Sequence, residues 1–327
     1  MRASELDYDL PTELIAQHPA PRRDASRLLV ADRATGAVRH RTFSDLPGEV
    51  GGYLTVVNDT RVVPARLHLR RETGGAVEVL LVEPLGDGIW EALARPSRRL
   101  RPGERLKPSH RLEPSDIVSR PSSVELVEAL GGGRWRVRVE GEPLGELPLP
   151  PYIHERPADP ERYQTVYARE PGSAAAPTAG LHFSPDVLAR LDFERITLHV
   201  GLDTFRPLTA ATLEEHELHG ERYAVEPAAW SRIEAAERVL AVGTTTTRVL
   251  ETLSLGAPLE GRSDLFITPG FAFRRVDALL TNFHLPRTTL LALVRAFAGI
   301  ERTRELYEVA IRERYRFYSF GDAMLVL

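Results

Sequence analysis

Apolar and polar positions follow two different rhythms along this chain. In residues 1–60 the runs SRLLVADR and GYLTVVN are short and apolar, and they predict two strands. From Arg61 to about Pro148 come VEVLLVEPL, IWEALARP, SVELVEAL and RWRVRVEG, broken by Gly-Gly, Pro-Gly and Gly-Asp-Gly turns. WRVRVE alternates strictly, as a strand with one buried and one wet face would. This stretch predicts a compact all-β, barrel-like domain. After LPLPPYI, where Pro148, Pro150 and Pro151 stiffen the crossing, the rhythm changes again. SPDVLARL, AAWSRIEAAERV, TTRVLETL and RTTLLALVRAFAG predict helices, and helix continues to Phe317. RITLHVG, LAVG, DLFIT and ALLTNF predict strands between them. The order is that of an α/β domain with a mostly parallel sheet. The N-terminal strands need partners, so we expect residues 1–60 plus 149–327 to form one discontinuous α/β domain. Residues 61–148 would be an all-β barrel-like insertion.

Composition narrows the class. The 327 residues suffice for two domains with sizeable cores. Hydrophobic residues make up 43% and charged residues 27%, the balance of a soluble globular protein. A net charge of -4 excludes a wholly basic nucleic-acid binder and leaves room for a local basic face. With no cysteine, disulfides, thiolate metal sites and cysteine nucleophiles are excluded. The opening MRASELDYDLP lacks the apolar core of a signal peptide, and Arg295 interrupts the most apolar helix. A soluble cytoplasmic protein, not a membrane one, is expected. Lys107 is the sole lysine, so no other residue could form a Schiff base.

Polar residues cluster where strands run into helices. In TAGLHFSP, Ser184 reads as an N-cap and Pro185 as the first helical position, so Gly180 and His182 lie in a loop feeding a helix. In AVGTTTTRVLE, Gly243 permits a tight turn. Thr244, Thr245, Thr246 and Thr247 offer a cap and further hydroxyls, with Arg248 one turn on. TNFHLPRTT places Thr281, Asn282, His284, Arg287 and Thr288 at a strand end, where open α/β sheets bind ligands. VNDTRVVPAR places Asn58 and Asp59 at another. Each of these also reads as plain capping, turn formation or ion pairing. ARPSRRLRPGERLKPSHR carries seven cations, among them Arg98, Arg99, Arg101, Arg105 and Lys107, against Glu104 alone. That suits a phosphate backbone or a solvated loop. YIHERPADPERYQTVYA sets tyrosines beside arginines, which suits stacking on bases. His216 and His219 stand three apart with no clear third ligand, so no metal site is expected.

The segments NDTRVVPARL, LPLPPYI, RYQTVYA, PTAGLHFS, VGTTTTRVLE and NFHLPRTTLLALVRAFAG resemble the QueA family, the S-adenosylmethionine:tRNA ribosyltransferase-isomerases, over nearly the full length. The resemblance implies an α/β domain interrupted by a β-barrel, and a monomeric, cytoplasmic, metal-independent enzyme of queuosine biosynthesis. It implies tRNAs for Asp, Asn, His and Tyr as partners, carrying 7-aminomethyl-7-deazaguanine at wobble position 34. S-adenosylmethionine would give up its ribosyl part, leaving epoxyqueuosine in tRNA and releasing adenine and methionine. On this footing His182, His284 and Asp59 are the candidate proton carriers. Gly180, Gly243, Thr244, Thr245, Thr246, Thr247, Arg248 and Asn282 would bind the donor. The Arg98–Lys107 cations would bind tRNA. Thr281 stands where the family usually has an acid, which shifts weight to Asn282 and His284. A methyltransferase would show a glycine-rich loop after its first strand, and none is seen. A pure tRNA-binding module would keep the basic patch and lose the polar strand ends, and here both are present.

Overall fold

A computed structural model describes residues 1–109, 123–141, 145–155, 157–201, 211–216 and 220–327. Arg111 of the basic stretch and His219 lie outside the described residues. The chain divides into two compact units. One comprises Met1–Arg61, Pro150–Glu170 and Ala176–Leu327, and the other Val62–Leu149 with Pro171–Ala175.

The first unit is built on a nine-stranded mixed sheet. Its strands are β1 (Arg27–Ala31), β2 (Val38–Thr42), β3 (Leu54–Asn58), β12 (Phe193–Leu198), β13 (Glu221–Ala224), β14 (Val239–Val242), β15 (Glu260–Ser263), β16 (Ala278–Asn282) and β17 (Ala323–Val326). They lie in the order β15-β13-β12-β3-β14-β16-β17-β1-β2. The centre, β12-β3-β14-β16, is parallel, and so is β17 with β1. The margins and the β16–β17 pairing are antiparallel. Every residue of β3, β14, β16 and β17 is buried, which fits the wholly apolar β14 and β17 and the largely apolar β3 and β16. Leu28, Val30, Val57, Leu240, Val242, Leu280 and Leu325 build the core on one face with Phe43, Phe183 and Val187. The helices are α1 (Leu46–Glu49), α2 (Pro185–Leu188), α3 (Pro227–Ala235), α4 (Thr244–Ser254), α5 (Thr289–Ala298) and α6 (Ile300–Arg312). Ser184 caps α2 through its hydroxyl, as its place ahead of Pro185 predicts, and Thr288 caps α5 in the same way.

The second unit is a closed barrel of six antiparallel strands, ordered β10-β7-β6-β5-β8-β9. They are β5 (Arg66–Arg71), β6 (Ala76–Gly86), β7 (Ile89–Arg95), β8 (Arg105–Pro108), β9 (Ser123–Gly131) and β10 (Arg134–Glu140). The alternation in β10 buries Trp135, Val137 and Val139 and leaves Arg136 and Arg138 outside. β4 (Thr60–Val62) pairs with β11 (Glu170–Ser173) as a separate ribbon.

One predicted strand is absent. DLFIT, residues 264–268, is irregular, and the strand before it is Glu260–Ser263. The reason is that the Leu265 carbonyl accepts from the Arg248 guanidinium at 3.0 Å, not from a neighbouring strand. A second polar anchor holds the next stretch. Glu251 of α4 is fully buried and accepts N–H groups from Arg274 (2.8 Å), Arg275 (3.0 Å) and Val276 (2.9 Å), fixing the approach to β16. Glu251→Gln replaces one of these acceptor oxygens with a donor. Unfolding free energy should fall by about 2–3 kcal/mol in denaturant titration. An unchanged midpoint would show that the loop does not depend on this carboxylate.

Candidate active site

The carboxyl ends of β12, β3, β14 and β16 share one edge of the sheet, because these strands are parallel. There the chain sets Asn58 at the end of β3 and Asp59 after it, His199 after β12, Gly243 and Thr244 after β14, and Asn282 to His284 at the end of β16. His182 joins them through a bond to Asn282. The residues singled out in four separate sequence motifs thus meet on one edge, as ligand sites of open α/β sheets do.

Asn58 knits this edge together. Its side chain is buried and pairs with Leu198 like a further strand residue, Nδ2 donating to the carbonyl (2.9 Å) and Oδ1 accepting the N–H (3.0 Å). Oδ1 also accepts the Thr60 N–H, and Nδ2 reaches Thr245 Oγ1 at 3.5 Å. Beside it Asp59 is 1% exposed, and its Oδ1 accepts the Thr197 hydroxyl at 2.7 Å. Burial raises the Asp59 carboxyl above its ordinary value, against the Thr197 hydrogen bond and the Arg169 charge. His199, whose Nδ1 lies 2.9 Å from Thr60 Oγ1, belongs to the same wall. Asp59, Thr197 and His199 line a cleft of about 830 Å³ with Arg169, Arg195 and Arg222.

The two candidate histidines are held differently. Asn282 Nδ2 donates to His182 Nε2 at 3.2 Å, which puts the ring proton on Nδ1. Nδ1 then donates to Ser26 Oγ at 2.8 Å, and Ser26 donates to the Arg23 carbonyl. The ring also stacks on Phe43 at 5.1 Å. Both nitrogens of His182 are therefore committed. His284 Nε2 lies 2.7 Å from the Thr281 hydroxyl, which donates onward to the Asn282 carbonyl. Where Thr281 keeps its 3.4 Å bond to the Asn282 carbonyl, Nε2 carries the proton, and no described residue bonds Nδ1. The His284 backbone is clamped by Tyr307, whose hydroxyl accepts its N–H at 3.0 Å, and by the Tyr8 hydroxyl on its carbonyl. Burial pushes both rings down to about 3, with the Arg316 and Arg23 charges adding to it at His182. Both are neutral at pH 7.

The threonine turn departs from expectation in three ways. The N-cap of α4 is Gly243, at φ 90°, and no side chain caps the helix. Thr246 and Thr247 turn their hydroxyls back to the carbonyls of Val242 (2.8 Å) and Gly243 (3.1 Å). That leaves Thr244 and Thr245 as the hydroxyls nearest the edge. Arg248 does not present donors to the mouth. It bonds the Leu265 and Ser263 carbonyls and the Glu221 carboxylate, tying α4 to the sheet margin. Gly180 is required sterically, since a Cβ there would lie 2.0 Å from the Tyr167 hydroxyl. Tyr163 and Tyr167 are buried and Tyr152 is half-buried with its hydroxyl 2.7 Å from Ser319 Oγ, so none is a platform for bases. On the barrel, Arg98, Arg99, Arg101, Arg105 and Lys107 are exposed, as a phosphate-binding patch requires. Glu104, the acid among them, pairs with Arg71. No group of residues able to hold a metal ion occurs among the described residues.

Comparison with known proteins decides the family. A profile described as "Queuosine biosynthesis protein" matches residues 3–326. The chain belongs to this family, that of the S-adenosylmethionine:tRNA ribosyltransferase-isomerases. Family proteins of that name from Rubrobacter xylanophilus and Moorella thermoacetica are 54% and 51% identical to it. The matches cover 100% of this chain and 98% and 100% of those proteins. A crystal structure of S-adenosylmethionine tRNA ribosyltransferase from Thermotoga maritima is 36% identical, with a TM-score of 0.55, over 99% of this chain and 100% of that one. This family member carries its polar strand ends inside the protein, and that destabilises it in acid. The unfolded chain binds protons at the ordinary histidine value of 6.5, whereas the folded rings resist until about 3. Their contribution to stability is complete above pH 6.5 and is lost as pH falls toward 3, by up to about 1.4 kcal/mol per pH unit for each ring. Denaturant unfolding between about pH 7.5 and 5 should show this slope, and His182→Gln or His284→Gln should flatten it. A slope identical in both variants and the parent would mean that these rings do not titrate as described.

Proposed function

We propose that the chain moves the ribosyl part of S-adenosylmethionine onto 7-aminomethyl-7-deazaguanine at wobble position 34 of the tRNAs for Asp, Asn, His and Tyr. The sugar is isomerised there to give epoxyqueuosine, with release of adenine and methionine. The observation that carries this reading is the 54% identity, across the whole chain, to a protein named for this transfer. The strand-end cluster supports it by supplying the groups the chemistry needs.

The positive sulfonium acidifies the neighbouring C5′ hydrogens of the ribose, and a base on the protein takes one. Neutral imidazole is a suitable acceptor where its lone pair is open. His284 meets that condition at Nδ1, and Thr281 orients its ring through Nε2. His182 has neither nitrogen open, so its part is to position Asn282. Asp59 is the second proton carrier, its carboxyl raised by burial above the ordinary value. Thr244 and Thr245, at the uncapped start of α4, hold polar groups of the donor together with Gly243. The barrel cations Arg98, Arg99, Arg101, Arg105 and Lys107 meet tRNA phosphates, in a monomeric cytoplasmic enzyme.

Incubation with S-adenosylmethionine and tRNA bearing the aminomethyl base should yield adenine, methionine and modified tRNA in equal amounts. S-adenosylhomocysteine in their place would mean methyl transfer, and no product would leave a binding protein. In a salt titration of tRNA binding, Gln at Arg98, Arg99 and Arg101 together should weaken binding and lower its salt slope by roughly one for each phosphate left unneutralised. Unchanged tRNA affinity at low salt would remove the patch from the interface.

A further inference from the structure

Asp59 is both deeply buried and incompletely bonded. Its backbone is fixed on both sides: its N–H donates to the Ile196 carbonyl (2.9 Å), and its own carbonyl accepts the N–H groups of Arg169 (2.7 Å) and Glu170 (3.2 Å). Oδ1 accepts the Thr197 hydroxyl. Oδ2 has no hydrogen-bond partner, although the side chain is 1% exposed. A buried carboxylate oxygen without a donor is costly, and native proteins seldom keep one. The nearest cation, Arg169 Nη2, stands 3.2 Å away but is not aligned for a hydrogen bond. Arg169 is 60% exposed and already bonds Glu170 Oε1 through Nε at 2.9 Å. It can therefore leave Asp59 without losing its last partner, but because Asp59 is buried its departure requires another cation to take its place.

Asp59 lines the same cleft of about 830 Å³ as Arg169, Glu170, Thr197 and His199, and its unbonded oxygen, itself buried, would meet a ligand there once Arg169 moves. The missing partner is a compact donor. An ammonium is a point charge with three rotatable donors, and it can align where the rigid guanidinium fork does not.

We propose that Asp59 is the receptor for an aliphatic ammonium group of a substrate, and that Arg169 is a placeholder which swings to Glu170 when that group arrives. The choice of ammonium rests on the ribosyl-transfer reading, under which two substrates bring one. They are the aminomethyl group of the acceptor base and the methionyl amine of the donor. Asp59 recognises whichever of these enters the cleft, and Thr197 keeps the carboxylate turned toward it.

Asp59→Asn keeps the shape and removes the charge. Its affinities should be compared with the parent's for four ligands. They are S-adenosylmethionine, its analogue lacking the amino group, tRNA with the aminomethyl base, and the same tRNA with guanine at position 34. The amine-bearing ligand that uses Asp59 should bind about 10-fold or more weakly, while its amine-free counterpart is unaffected. Loss confined to S-adenosylmethionine assigns Asp59 to the methionyl amine, and loss confined to the aminomethyl tRNA assigns it to the acceptor. Affinities unchanged for all four ligands, or lowered equally with and without the amine, would overturn the proposal. Should Asp59→Asn not fold, Arg169→Gln carries the test. Removal of the placeholder should tighten binding of the amine-bearing ligand alone, and weaker binding would overturn the proposal. These are binding measurements, so a parent enzyme that released no adenine would sink the ribosyl-transfer reading and leave this test standing.

Discussion

The side chain of Asn58 holds the edge on which everything else depends. β3 ends there, and the sheet would lose its ladder between β3 and β12. Instead a side-chain amide takes the place of a peptide group and satisfies both the N–H and the C=O of Leu198. This lets the chain turn away while the two strands stay in register. The next residue, Asp59, is thereby carried into the interior, and Thr60 is delivered to His199. The same amide reaches the first turn of α4 at Thr245. One fully bonded residue thus sets the spacing of three elements and aims the polar groups of the edge.

Burial then decides what those groups can do. The imidazole of His182, enclosed by Phe43, Ser26 and Asn282, and that of His284, buried where Tyr8 and Tyr307 hold its backbone, are both neutral at pH 7. At pH 7 neither ring is a reservoir of protons, and of the two only His284 has a ring nitrogen that bonds no described residue. The carboxyl of Asp59 moves the opposite way, toward neutrality, because the same burial disfavours its charged form. Beside these groups the cleft is lined by charges of both signs, Arg169, Arg195 and Arg222 among the cations and Asp59, Glu170 and Glu194 among the acids.

Much of this is legible in the sequence, for reasons that are local. Apolar runs mark β1, β3, β14 and β16, strict alternation marks β10, and the hydroxyl ahead of Pro185 marks the cap at Ser184. The rule that ligands gather at strand ends draws attention to Asp59, His284 and the threonine turn from the sequence alone. What stays hidden depends on partners distant in sequence. DLFIT has the composition of a strand, but its carbonyl at Leu265 serves Arg248. The hydroxyls of Thr246 and Thr247 look like ligand donors until the helix claims them. Nothing in the sequence around Pro171–Ala175 signals that it belongs with the barrel unit. His199 reads as one more strand residue in RITLHVG, and Arg169 as a surface charge. The one sequence signal for His199 is the alternation that puts Arg195, Thr197 and His199 on the face opposite Ile196 and Leu198.

The central claim is that the donor binds at the carboxyl edge of the parallel strands. Amide hydrogen exchange with and without S-adenosylmethionine addresses it directly. Protection should appear in residues 57–60, 243–248 and 281–288, and it should be absent from the barrel strands. Protection confined to the barrel, or to the pocket of about 560 Å³ lined by Tyr8, Arg295 and Tyr307 near α6, would place the donor elsewhere and contradict the account.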